Sequence, residues 1–163
     1  MWPFDLLFNN TPKVQSILPQ IAVNEIICGR LPILNTDRIF MKGNEKCHYI
    51  DKAIYEKKII RKRYVRRSSG YNFPTFFKIR YNRGSSQADV EDNVEYLKFK
   101  GILYITSKRI IFQGESEGFD FKISDLVAIQ PYDNCVELQC SKENYKIFVP
   151  DGSVVHAAIQ LIK

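Results

Sequence analysis

Along the C-terminal half of the chain, apolar and polar side chains alternate with period two. Leu97, Phe99, Leu103 and Ile105 alternate with Lys98, Lys100 and Tyr104, which puts Gly101 at an inward position where a bulge or sharp bend fits. Phe119, Phe121 and Ile123 alternate with Asp120 and Lys122. Val136, Leu138 and Cys140 alternate with Glu137 and Gln139, turning Cys135 outward, and Tyr145, Ile147 and Val149 alternate around Lys146. Upstream, Phe77, Ile79 and Tyr81 alternate with Lys78 and Arg80. This pattern predicts an antiparallel sheet with one solvated face. Polar turns separate the strands at Thr106-Ser107-Lys108, Gly114 to Gly118, Pro131 to Asn134 and Ser141 to Asn144.

After Pro150 the period changes. Val155, Ala158, Ile159 and Ile162 form a helical stripe over residues 153–163, with His156, Gln160 and Lys163 on the opposite face. Asp151 or Ser153 can cap that helix. Residues 1–39 read as an irregular arm, because Pro3, Pro12, Pro19 and Pro32 recur too often for a long helix. The arm still holds many large apolar groups, so these staple onto the core or form short helices between the prolines, or else present a hydrophobic surface to a partner or a second copy. Trp2, beside Phe4 and Phe8, is the aromatic anchor of the second alternative. Removing residues 1–20 is then expected to abolish partner binding and leave the sheet folded. Residues 54–67 fit neither period well and predict a long twisted strand wet on both sides, and residues 84–95 a polar, acidic loop.

Charge sharpens this picture. The 163 residues carry a net charge of +6, yet residues 56–83 hold Lys57, Lys58, Arg61, Lys62, Arg63, Arg66, Arg67, Lys78, Arg80 and Arg83 against Glu56 alone. The rest of the chain is net acidic. Such a block suits an anionic partner, and Tyr64 within it could stack on bases; the simpler account is a solvated strand pair kept unpaired by charge. The start of the chain has no basic leader and no apolar run approaches membrane-spanning length, so the expectation is a cytoplasmic protein.

Candidate catalytic chemistry is sparse. Cys28, Cys47, Cys135 and Cys140 form no C-x-x-C pair, and His48 and His156 stand near no nucleophile motif. The cysteines read as reduced, mostly buried thiols. Gly114-x-x-x-Gly118 lacks the Lys-Ser/Thr of a phosphate loop. No enzyme, metal or cofactor is expected.

Residues 101–114, GILYITSKRIIFQG, resemble the G-x-L-x-[IL]-T-x-x-R-[IVL]-x-[FW] hairpin of GRAM and related pleckstrin-homology-like domains, of the kind found in bacterial proteins. Residues 121–129, 133–138, 145–149 and the terminal helix follow in the family's order, and Phe40 to Tyr49 loosely resembles its lead-in, with Asn44 as an extra residue. The resemblance implies a mainly β fold over residues 40–163, an antiparallel barrel capped by the C-terminal helix. It says little about function, because such barrels bind lipids, peptides and proteins alike. The terminal helix lacks the tryptophan of eukaryotic pleckstrin domains, and no phosphoinositide signature is recognisable. In the hairpin, Thr106 serves the turn, and Arg109 is expected to pair with Glu95 or Asp125.

The combined expectation is a non-enzymatic module that binds a protein partner through the barrel, the arm and the basic block, with self-association through the arm as a variant. The candidate binding residues are Lys57, Lys58, Arg61, Lys62, Arg63, Tyr64, Arg66, Arg67, Lys78, Arg80 and Trp2. The alternative is nucleic acid or an anionic membrane as the ligand of residues 57–83. A small basic module without an enzyme motif also suits a phage or mobile-element protein that blocks a nucleic-acid-handling host machine.

Overall fold

The computed structural model describes residues 12–65 and 89–163. Helix α1 spans Gln20–Ile27. Seven strands follow: β1 Cys47–Val65, β2 Asp89–Thr106, β3 Arg109–Gly114, β4 Gly118–Lys122, β5 Leu126–Pro131, β6 Cys135–Cys140 and β7 Asn144–Phe148. A single 3-10 turn, Ile123–Asp125, links β4 to β5, and helix α2, Gly152–Ile162, closes the chain. All the registered pairings are antiparallel, in the spatial order β4-β3-β2-β1-β7-β6-β5. Two meanders therefore meet at the β1–β7 pair, where Ile54 faces Phe148 and Tyr55 faces Ile147. Seven antiparallel strands in this order, followed by a C-terminal helix, make a pleckstrin-homology-like fold.

The chain divides into two units. Residues 1–57 with 97–163 form the larger, and residues 58–96 the smaller. The larger unit has one core: Tyr49, Leu103, Phe112, Leu138 and Ile147 from the strands meet Val155, Ala158 and Ile159 of α2. The expected helical stripe of α2 is thus the buried one, and its N-cap is Asp151, whose carboxylate accepts from the Ser153 amide at 2.9 Å.

Several expectations change. In the arm, α1 occupies the interval between Pro19 and Pro32, as the expectation of short helices between prolines allows, and its Ala22 and Ile26 join the preceding Leu18 in the common core. The turn before it is fixed by buried Asp51, which accepts from Ser16 Oγ and from the Ile17 amide, both at 2.7 Å. Residues 89–95 are strand, not loop, since β2 begins at Asp89. Gly101 opens the β2–β3 register, which runs from Gly101↔Gly114 to Ile105↔Ile110, and a Cβ there would strike the Gln113 carbonyl oxygen. The strands simply approach too closely for a side chain. The predicted strand at 77–81 lies outside the described residues.

Cys135 is also buried rather than outward in contact with water. It stands opposite Phe148 on the outer face of the β6–β7 pair, and Phe148 is 4% exposed beneath Lys98 and Lys146, whose ammonium groups sit 5.7 and 5.5 Å from its ring. Long cationic side chains cover apolar surface here while their charges stay wet. Tyr104, placed among the polar positions by alternation, is likewise 1% exposed. Asp37 and Arg38 of the arm stand close enough to act on its phenol, whose pKa burial raises.

Candidate binding surface

A buried polar cluster joins the arm to the β2–β3 hairpin. Gly43, at φ +60°, turns the chain so that Glu45 points inward. Its carboxylate receives Arg109 Nε at 2.9 Å and Nη2 at 3.2 Å, the Lys42 amide at 3.0 Å, and the Thr106 hydroxyl. Arg109 Nη1 reaches Asp120 at 2.8 Å and Nη2 the Phe40 carbonyl at 2.7 Å. The partners are therefore Glu45 and Asp120, not Glu95 or Asp125. Burial would raise the Glu45 pKa, but the bonds from Arg109, Thr106 and Lys42 overcome it and lower it from 4.5 to about 2. Thr106 and Arg109, the marked residues of the hairpin motif, thus serve the architecture.

The expected basic residues separate on inspection. Lys57 is paired with Glu117 at 2.8 Å within the larger unit. In the smaller unit Arg61 lies 3.6 Å from Glu95, and Lys58 and Lys62 are exposed. Both pairs are largely solvated, so they hold the cations loosely. Arg63 and Tyr64 continue β1, but only their backbone is described. Arg66, Arg67, Lys78, Arg80 and Trp2 lie outside the described residues.

A second surface was not in the expected set of site residues. Ile17, Ile21, Ile27 and Ile33 of the arm, and Phe40 just after it, are exposed at 47, 75, 66, 61 and 91%. α1 therefore turns one face to the core and leaves two large isoleucines, Ile21 and Ile27, in water. The sequence shows these isoleucines as apolar positions of the arm, among polar Gln20, Asn24 and Glu25 in α1. Only the fold decides which of its faces is covered.

His48 is buried with Nδ1 2.7 Å from the Pro32 carbonyl, and His156 lies 3.3 Å from Gln160 on α2. Among the described residues, no three of His, Cys, Asp and Glu gather as metal ligands, and no helix is long and apolar enough to cross a membrane. Burial pushes the Cys47 thiol up to about 11 and raises Cys135 and Cys140 as well, whereas Cys28 is exposed. In the native protein at about pH 8, Cys28 is expected to react rapidly with an aromatic disulfide reagent, half-buried Cys140 more slowly, and Cys47 and Cys135 only after denaturant is added. Equal rates at all the cysteines would contradict this burial pattern.

The architecture fits a pleckstrin-homology-like fold with a C-terminal helix. A solved structure described as the Vps36 N-terminal PH domain is similar to this chain, with 13% sequence identity and a TM-score of 0.44 over 81% of this chain and 89% of that one. No protein-family model and no curated protein matches the sequence.

Proposed function

We propose that this chain is a non-catalytic module that docks a protein partner through the outward side chains of its arm. The carrying observation is the concentration of exposed Ile17, Ile21, Ile27, Ile33 and Phe40 within one 24-residue stretch that is itself anchored to the core. Scattered surface isoleucines are ordinary, but a group on one tethered segment is what a protein interface uses. The anchor matters: Leu18, Ala22 and Ile26 hold α1 in place, so little ordering is left to be done on binding.

Truncation is a poor test, because removing residues 1–20 would strip Asp51 of its bonds to Ser16 and Ile17 and take Leu18 out of the core. The double variant Ile21→Asp/Ile27→Asp changes only exposed groups. It is expected to melt within about 2 °C of the parent, yet to lose partner capture from a host extract, or to lose a dimer if the partner is a second copy. Unchanged capture together with unchanged mass in light scattering would refute the proposal. A second reading, docking on nucleic acid or an anionic membrane, is supported by exposed Lys58, Arg61 and Lys62. It requires affinity that falls steeply with salt, and a flat salt titration would remove it.

A further inference from the structure

The larger unit contains an open cleft of about 710 Å³ that no motif anticipates. Its walls come from the arm at residues 13–15, from Arg38, from the middle of β1 and β2, and from the end of β3. Strand alternation builds it. Lys52 and Ile54 share the outer face of β1, Lys100 and Ile102 that of β2, and the arm crosses beside them.

The chemistry of the walls is divided. Val14, Ile54 and Ile102 are half-buried and form the inner surface. Lys13, Arg38, Lys52 and Lys100 are exposed around them, and Glu115 is the one carboxylate among the lining residues. Among the described residues these four cations make no ion pair with one another's neighbours, unlike Lys57, Arg61, Arg109 and Lys146. The cleft is therefore a cationic rim around an apolar floor.

We propose that this cleft binds a short peptide segment in which carboxylates alternate with large apolar side chains. The inference deepens the reading of the chain as a protein-binding module, and rests on it. The floor decides the ligand class. A phosphate group or a nucleic-acid backbone gains nothing from Val14, Ile54 and Ile102, and would leave them wet. An extended peptide sends successive side chains to opposite sides, so apolar groups can enter the cleft while carboxylates meet the lysines at the rim. The apolar contacts supply affinity, and the charge ring supplies rate of encounter and selection against basic segments.

The test uses the full chain and a fluorescent peptide of alternating Glu and Leu or Phe residues, read by anisotropy. Binding is expected, and the double reversal Lys52→Glu/Lys100→Glu should weaken it by about tenfold or more. Both residues are exposed, and an unchanged circular dichroism melt verifies the fold of the variant. Raising salt from about 0.1 to about 1 M, which cuts the screening length from about 10 to about 3 Å, should weaken binding also. Equal binding of a peptide with Ser in place of Leu and Phe would overturn the proposal, because the floor would be idle. So would anionic vesicles or an oligonucleotide that bind the parent and not the Lys52→Glu/Lys100→Glu chain. The Ile21→Asp/Ile27→Asp chain separates the two readings. Its retention of peptide binding supports a distinct cleft site, whereas absence of peptide binding by the parent overturns the cleft and leaves the arm reading to its own capture test.

Discussion

Replacing Arg109 by Ala is expected to cost about 3–5 kcal/mol of folding free energy, because it leaves a buried carboxylate without its cation. The Glu45 side chain is 1% exposed and would keep only the Thr106 hydroxyl and the Lys42 amide as donors. The pH dependence gives a second readout. Glu45 titrates near 2 in the folded protein and near 4.5 ordinarily, so its stabilisation is present above about pH 4.5 and is lost as the pH falls from there towards 2. The size of that contribution is about 3 kcal/mol. In Arg109→Ala the opposing force is burial, so this acid-side slope should flatten or reverse. Arg109→Lys keeps the charge but loses the fork that serves Glu45, Asp120 and the Phe40 carbonyl together, and should fall between. Urea unfolding at neutral pH and across pH 2–5 measures both effects. Coincident curves for parent and Arg109→Ala would show that the pair contributes nothing.

Phe112→Ala is expected to cost a similar amount, about 3–5 kcal/mol, for an unrelated reason. Phe112 is 1% exposed and begins a run of aromatic rings inside the larger unit. Tyr55 meets it edge-on at 5.8 Å and Phe119 stacks at 5.5 Å; Phe119 in turn lies 4.3 Å from Tyr145, which stacks on Phe121 at 5.1 Å. Truncation removes the ring at the closed end of the run, where the neighbours are strand residues fixed by their ladders and cannot collapse into the space. Phe119 is only half-buried, so Phe119→Ala should cost clearly less. A drop in melting temperature of roughly 10 °C for Phe112→Ala, with a smaller drop for Phe119→Ala, checks the order. Equal drops would mean that the rings form one uniformly exposed layer.

Much of the sheet was legible in the sequence, and the reasons are local. Residues 97–105 of β2, together with β4, β6 and β7, carry period two between polar turns, and α2 carries a four-residue stripe behind an Asp cap. The failures mark where local rules lose to packing. Residues 89–95 are rich in Asp, Glu and Asn and read as a loop, yet β2 runs through them because strand propensity yields to pairing. α1 has Pro19 at its N-cap and no side-chain cap, so the sequence allows a short helix there without marking its bounds; its stability comes from Leu18, Ala22 and Ile26 in the core. Cys135 and Tyr104 were assigned to the wet face correctly by alternation and wrongly by exposure, because Phe148 and the arm cover that face. The Glu45 pairing was illegible for a different reason: its partner is 64 residues away, and no spacing rule reaches that far. Of the expected binding residues, only Lys57, Lys58, Arg61 and Lys62 have described side chains. The exposed isoleucines and the cleft emerged only when the fold showed which faces the arm leaves open.

The long separation between Glu45 and Arg109 has a kinetic consequence. Bringing distant partners together carries a loop-closure cost, so this pair is expected to form late in assembly, with its loss read mainly in the unfolding rate by stopped-flow kinetics of Arg109→Ala. Its strength governs residence time in the native state far more than speed of arrival there. A chain lacking it would still find its fold at nearly the parental rate, and would leave it sooner.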